Sequence, residues 1–281
     1  MPTIQQTLLF ARTRLEGRSS SASLDAQVLL CDALHQPNRA YLFTHPEQVL
    51  TAEEAERFAS YLARREQGEP VAYIRGHKAW YDRTFWVNPS VLIPRPETEL
   101  VLETALACIP TDEARSVADV GTGSGALAVT FKALRPHCTV YATEISAEAL
   151  AVAQRNATEH ATPIAFLHGN LLEPLIARGL RLDMVISNPP YIATEVLPEL
   201  AVSAWEPRLA LDGGEGGLVC LTELFQQVPH ACSAGAWVLV EFGADQGEAV
   251  LELAHRTLPL ESAEIRQDYA GLDRYLVARL R

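Results

Sequence analysis

Two short stretches carry residue types that could do chemistry together. In MVISNPPYIA, residues 184 to 193, a run of strand formers ends in Asn188, Pro189, Pro190 and Tyr191. The Asn188 side-chain carbonyl and the Pro189 main-chain carbonyl are both acceptors, and two proline rings hold them rigid. They can therefore take the two hydrogens of an incoming NH₂ group. Tyr191 offers a flat face to a planar amide or base. A conjugated nitrogen is a poor nucleophile because its lone pair is delocalised. Acceptors that hold its hydrogens orient it, favour pyramidalisation and align it with an electrophilic methyl group. The proton can leave after transfer, so no strong general base is required, which agrees with the lack of an obvious Ser/His/Asp or Cys/His set. The tetrapeptide alone does not say whether the NH₂ belongs to a nucleobase or to a glutamine. The plainer alternative is a rigid turn closing a strand.

The second stretch, ADVGTGSGALAV, sets Gly121, Gly123 and Gly125 around Thr122 and Ser124 where a strand turns into a helix. Glycines there let the backbone approach a ligand closely, because no side chain occupies the space. The next strand ends in Glu144, 23 residues beyond Gly121. A carboxylate at that point can accept both hydroxyls of a ribose. Together these describe an adenosine-bearing ligand across the strand ends, against the simpler reading of a tight turn and a solvated acid. A nicotinamide cofactor stays open on these residues, although GxGxG supports a dinucleotide less well than GxGxxG would. No GxxxxGK[ST] is present, and GGEGG at 213–217 reads as a flexible loop.

The elements that must position these groups follow from periodicity. Residues 3 to 67 read as helices, with Ile4, Leu8, Ala11 and Leu15 at helical spacing, then Ala55, Phe58 and Leu62. Thr51 and Glu54 form a candidate capping box. Around Tyr81-Asp82-Arg83 aromatic and polar residues alternate as in a two-stranded ribbon, and Pro89, Pro94 and Pro96 then interrupt regular structure. From Glu97 onward helix and strand alternate, which predicts a mostly parallel sheet with helices on both faces. The final strands, near SAEIRQ and RYLVARL, lack a helix between them and should form an antiparallel edge pair. The expected organisation is a helical domain over 1–75, a β-hairpin linker over 76–92 and a sheet domain over 93–281.

Composition narrows the class. The 281 residues, 48% of them hydrophobic, can bury one large core and a second small one. A net charge of −12 without a lysine- or arginine-rich block disfavours a dominant phosphate-binding surface. The five cysteines form no CxxC pair, and no histidine stands at metal-ligand spacing, so reduced thiols and no metal are expected. Arg12 and Arg14 follow the first apolar residues, the wrong order for a signal peptide, and a cytosolic location is expected. His77 and His168 are single histidines to which no role is assigned. Trp80, Phe85 and Trp86 read as packing between domains. Arg95 either contacts substrate or pairs with Glu97 or Glu99.

With GTGSG, Glu144 and NPPY together, the chain resembles class I S-adenosylmethionine-dependent methyltransferases that modify amino groups. VLIPRPETELVLE, ISNPPYI, EPRLALDGGEGGL, EFGADQG and YAGLDR, in this order behind a helical domain and a hairpin, resemble the HemK/PrmC family over nearly the whole chain. The resemblance implies a Rossmann-like, doubly wound α/β domain and S-adenosyl-L-methionine as methyl donor, leaving S-adenosyl-L-homocysteine. It implies methylation of the glutamine side chain in the GGQ motif of class 1 peptide chain release factors, with no direct nucleic-acid partner and no membrane. By the same resemblance Gly121, Thr122, Gly123, Ser124 and Gly125 cradle methionine and ribose, and Glu144 is the ribose acid. Asn170 and Leu171 lie beside the adenine. Asn188, Pro189, Pro190 and Tyr191 clamp the glutamine, with Asn188 also near the cofactor. Glu144 and Asn170 both stand where the family commonly has aspartate, and Phe242 replaces an aliphatic residue, read as packing only. A nucleic-acid amino-methyltransferase and a noncatalytic adenosine-ligand sensor are the competing readings.

Overall fold

Thr3 opens the chain's first helix by a reciprocal cap, its hydroxyl accepting from the Gln6 N–H while the Gln6 side chain accepts from the Thr3 N–H. Helix α1 (Ile4–Leu15) is followed by α2 (Ala22–Ala33), α3 (Ala40–Thr44), α4 (Ala52–Glu66) and α5 (Val71–Arg75). The expected capping box at Thr51 and Glu54 starts α4 in the same way. Ile4, Ala11 and Leu15 meet Leu29, Leu30, Phe58 and Leu62 in one core. Its edge is closed by a nearly buried ion pair, Arg65 to Asp25 at 2.7 Å.

The computed structural model describes residues 1–281 and divides into two compact units, Met1–His77 and Lys78–Arg281. The two-stranded ribbon is β1 (His77–Trp80) with β2 (Arg83–Trp86). Trp80 and Phe85, expected to pack between domains, are buried in the second unit's own core, beside Val101, Leu102, Ala105 and Phe131. The reason is the pleat: Trp80 and Phe85 share one face of the ribbon, and that face lies on apolar helical surface.

The second unit continues with α6 (Thr98–Cys108), β3 (Ser116–Val120), α7 (Ala126–Leu134), β4 (Thr139–Glu144), α8 (Ala147–Glu159), β5 (Ala165–His168), α9 (Glu173–Ile176) and β6 (Leu182–Ser187). Short 3₁₀ turns lead to α10 (Val219–Ala231), β7 (Cys232–Glu241), α11 (Gly247–Thr257), β8 (Leu260–Gln267) and β9 (Asp273–Leu280). The seven strands run in the order β5-β4-β3-β6-β7-β9-β8, the first five parallel and β9 antiparallel to both neighbours. Successive strand residues feed opposite cores. Val185, Val238 and Val240 pack with α10 and α11, while Met184, Ile186 and Leu239 pack with α6 and α7.

Strand β3 lies between β4 and β6, so chain connections leave it in both directions. A crevice opens at the carboxyl ends of the strands at such a switch point. The Ser187 hydroxyl donates to the Val120 carbonyl at 2.7 Å, tying the two strand ends together where the glycine loop and NPPY begin.

Candidate active site

A cavity of about 670 Å³ occupies that crevice. Its floor is the glycine loop. Gly121, Gly123 and Gly125 all have positive φ, at 70°, 55° and 82°. The Gly121 and Thr122 N–H groups donate to the Thr143 carbonyl at 2.9 and 3.0 Å, pinning the loop to the end of β4. A Cβ on Gly121 would meet nothing within 4 Å, and one on Gly123 only the Gly121 carbonyl at 4.0 Å, so both face open space. On Gly125 a Cβ would press on Ala153 at 3.2 Å, so the third glycine serves close packing against α8.

The two polar residues inside the loop have separate duties. The Thr122 hydroxyl donates to Asp119 at 2.6 Å, and the Ser124 carbonyl accepts from buried Asn156, whose side chain also bonds both main-chain groups of Trp86. Asp119 is buried at the end of β3 and also accepts from the Ala128 N–H. Burial, opposed by these two hydrogen bonds and reinforced by nearby Glu144, pushes its carboxyl up to about 7.

Glu144 ends β4, and both its oxygens accept main-chain N–H groups, from Gly123 at 2.9 Å and from Ser146 at 3.0 Å. Each oxygen keeps a free lone pair for a hydroxyl. Thr143, lining the same cavity, has a buried hydroxyl without a partner. Asn170 and Leu171 form part of the wall, and Leu171 takes a positive φ of 47° as the chain turns out of β5 toward α9.

At the far end stands NPPY. Asn188 Nδ2 donates to the Thr98 hydroxyl oxygen at 3.0 Å, and Thr98 donates to Glu241 at 2.6 Å. The Tyr191 hydroxyl reaches the other Glu241 oxygen at 3.4 Å. Burial pushes the Glu241 carboxyl up to about 7, against the pull of the Thr98 hydrogen bond and the Arg274 guanidinium. Burial and the adjoining carboxylate likewise raise the Tyr191 phenol. The Asn188 carbonyl oxygen and the Pro189 carbonyl accept no hydrogen bond from the chain. Asn188 and Pro190 line the large cavity, whereas Pro189 and Tyr191 line an adjoining one of about 120 Å³. Asn188 lines both.

Two expectations are corrected. GGEGG is a packed support for the tetrapeptide and not simply a flexible loop. A Cβ on Gly213 would stand 2.8 Å from the Pro190 carbonyl, and one on Gly217 2.3 Å from the Tyr191 carbonyl. Main-chain bonds from Ile192 to Leu211 and from Gly213 to Ile192 hold it there. Arg95 pairs with neither Glu97 nor Glu99 but with buried Glu206, at 2.6 Å, and the same carboxylate accepts the Ile93 N–H. The residue before a proline is held extended, and Arg95, set between Pro94 and Pro96, meets its partner in the EPRL segment instead of along its own chain.

Residues 6–76 match the family described as PrmC N-terminal domain, and residues 98–204 match the methyltransferase small domain. A release factor glutamine methyltransferase of Moorella thermoacetica is 40% identical over 280 residues, covering 98% of each chain. One of Bacillus anthracis is 36% identical over 284 residues, covering 99% of each.

The chain belongs to the release factor glutamine methyltransferase family.

Solved structures agree on the fold of the catalytic unit. The Thermus thermophilus 16S rRNA N2 G1207 methyltransferase, in complex with AdoMet and guanosine, superposes with a TM-score of 0.55 at 17% identity, over 73% of this chain and 50% of the other. A Pyrococcus furiosus methyltransferase gives 0.52 at 15% identity, over 82% and 98%. In this family member, sequence reasoning located the loop, Glu144 and NPPY at one sheet edge. It missed Asp119, Thr98, Glu206, Glu241 and Gln246, whose Nε2 donates to the Tyr191 carbonyl at 2.9 Å. Each stood inside a quoted motif, but for all except Asp119, which bonds Thr122 and Ala128 in its own loop, the partner is distant in sequence, 90 residues away for Thr98 and Asn188.

Proposed function

We propose that this chain methylates the side-chain amide nitrogen of the glutamine in the GGQ motif of class 1 peptide chain release factors. The observation that carries the reading is Asn188, whose unpaired carbonyl stands at the wall shared by the two cavities. A methyl donor in the large cavity and an amide in the small one would meet beside it.

The residues present fit S-adenosylmethionine. Gly121 and Gly123 leave space that a Cβ would fill, Glu144 keeps lone pairs for ribose hydroxyls, and Asn170 and Leu171 wall the adenine end. When bound, the donor supplies a sulfonium methyl: an N–C bond forms, the S–C bond breaks with its pair passing to sulfur, and the amide proton is released. The chain's own work is orientation. Asn188 Oδ1 and the Pro189 carbonyl take the two amide hydrogens, which holds the nitrogen and weakens its conjugation. Tyr191, anchored at its hydroxyl by Glu241 and at its carbonyl by Gln246, walls the amide plane.

Residues 1–75 then serve as a helical domain, 76–92 as a hairpin linker and 93–281 as the methyltransferase domain. No helix is long and apolar enough to cross a membrane, and a translation-factor substrate implies cytosolic work. A net charge of −12 supports a protein substrate over a nucleic acid. The test offers labelled methyl donor with a class 1 release factor and tRNA in one tube. Label on the GGQ glutamine is expected. Label on tRNA with release factor untouched would favour the nucleic-acid reading, and label on neither the noncatalytic one.

A further inference from the structure

An asparagine amide has a donor end and an acceptor end of nearly the same shape, and a clamp for NH₂ works in only one of its two orientations. With the carbonyl toward the substrate, two hydrogens find acceptors. Rotated by half a turn, the amide sets its own NH₂ against the substrate's NH₂. Something must select between these states, and the backbone of NPPY does not.

The Thr98 hydroxyl has one proton, and that proton goes to Glu241 at 2.6 Å. A hydroxyl that has spent its proton can only accept. Its contact with Asn188 at 3.0 Å is therefore made by Nδ2, which leaves Oδ1 on the other side. Thr98 and Glu241 are both buried, so water does not compete for the bond between them. Glu241 also receives the Tyr191 hydroxyl on its second oxygen, so one carboxylate lies behind both working side chains of the clamp.

We propose that Thr98 and Glu241 are positioning residues that fix the Asn188 amide with its carbonyl toward the substrate nitrogen, ionised Glu241 acting as the acceptor and Thr98 as the connector whose direction that ionisation sets. This rests on the methyltransferase reading above and specifies how that site is set.

The arrangement has a protonation dependence. Facing Glu241 are Thr98 and Glu97 at the start of α6, Tyr191 after β6 and Arg274 on β9. Arg274 is itself held by Asp268 at 2.8 Å. Once Glu241 is protonated it can donate to Thr98, which frees the Thr98 proton to point at Asn188 and stabilises the rotated amide. Turnover should then fall as pH drops through the Glu241 titration, which burial has moved up to about 7.

The experiment measures kcat and KM for release-factor methylation across about pH 5.5 to about 8.5 in wild type, Thr98→Val, Thr98→Ser and Glu241→Gln, with thermal melting of each. Thr98→Val keeps the shape and loses the connector. Its kcat should fall about tenfold, the scale of one lost orienting hydrogen bond, with KM for the methyl donor nearly unchanged. Thr98→Ser restores the hydroxyl and should recover most of the rate. Wild type should lose turnover on the acid side, and Glu241→Gln, which does not titrate, should lack that limb. If Thr98→Val keeps wild-type kcat, or Glu241→Gln keeps the acid limb, the proposal is overturned while the methyltransferase reading stands. If Val and Ser lower melting temperature and rate together, Thr98 is structural and the proposal is equally overturned. If wild type itself transfers no label to release factor, the functional reading fails first.

Discussion

The two ends of the cavity are built from different materials. At the glycine-loop end the working surface is main chain: positive-φ glycines with open space above them, and an acid whose oxygens are set by N–H groups only two residues and twenty-one residues away. At the NPPY end it is side chain: an amide, a phenol, a hydroxyl and a buried carboxylate drawn from three separated segments. A backbone surface has its shape as soon as the loop forms, so local residue types suffice to specify it. A side-chain surface has rotational choices left over, and distant partners must remove them. Binding and turnover should therefore be separable, one to each end.

Breaking the NPPY end should give the largest effect. Asn188→Ala removes an acceptor needed only by the reacting nitrogen, and kcat should fall by about 100-fold or more with methyl-donor affinity within about threefold. Single-turnover transfer beside calorimetric titration of the donor reads both quantities. An equal loss in both would erase the contrast between the two ends.

Gly123→Val attacks the other end. Its side chain enters the space above the loop at a φ of 55° that β-branched residues resist. Donor affinity should fall by roughly 30-fold, with rate at saturating donor much less affected. Retention of wild-type affinity would mean that the donor does not lie over this loop.

Asp119 sharpens the comparison through pH. Its folded-state carboxyl is raised from 3.8 to about 7, so between those values the unfolded chain has lost a proton that the folded chain keeps. Stability contributed by this group is thus present at low pH, declines as pH rises through that window and is level above it. Asp119→Asn keeps an acceptor for Thr122 and Ala128 while removing the titration. Denaturant midpoints should show a shallower decline than wild type, with a gain at neutral pH of about 1 kcal/mol or more. An unchanged slope would place the burial cost elsewhere.

The smallest change is Glu144→Asp. Shortening the side chain by one methylene draws the carboxylate away from the Gly123 and Ser146 N–H groups that set it. Donor affinity should weaken by about threefold, with kcat nearly unchanged. A change in kcat would show that this end also aligns the reacting methyl.

Legibility followed the same division. The longer helices, the strands, the antiparallel edge pair and the position of both loops at the strand ends came from periodicity and spacing, because each leaves its pattern in the residues of its own segment. GGEGG was misjudged because glycine composition suits a mobile loop and a crowded one alike. Only the neighbouring Pro190 and Tyr191 carbonyls decide between them. Of the two alternatives for Arg95, the ion pair named the wrong partner because Glu97 and Glu99 are nearer in sequence, whereas Glu206 is nearer in space. Trp80 and Phe85 were recognised as packing residues, but which core they fill depends on how the ribbon lies on α6 and α7.

What the residues alone determined, then, is the kind of fold and the inventory of the proposed site: a glycine loop, an acid at the end of β4 and the rigid NPPY tetrapeptide, each encoded by local chain geometry. Which way the clamp faces was decided by tertiary structure. An amide's orientation is set by what its far side touches, and here that is a hydroxyl 90 residues earlier, backed by a carboxylate on the next parallel strand.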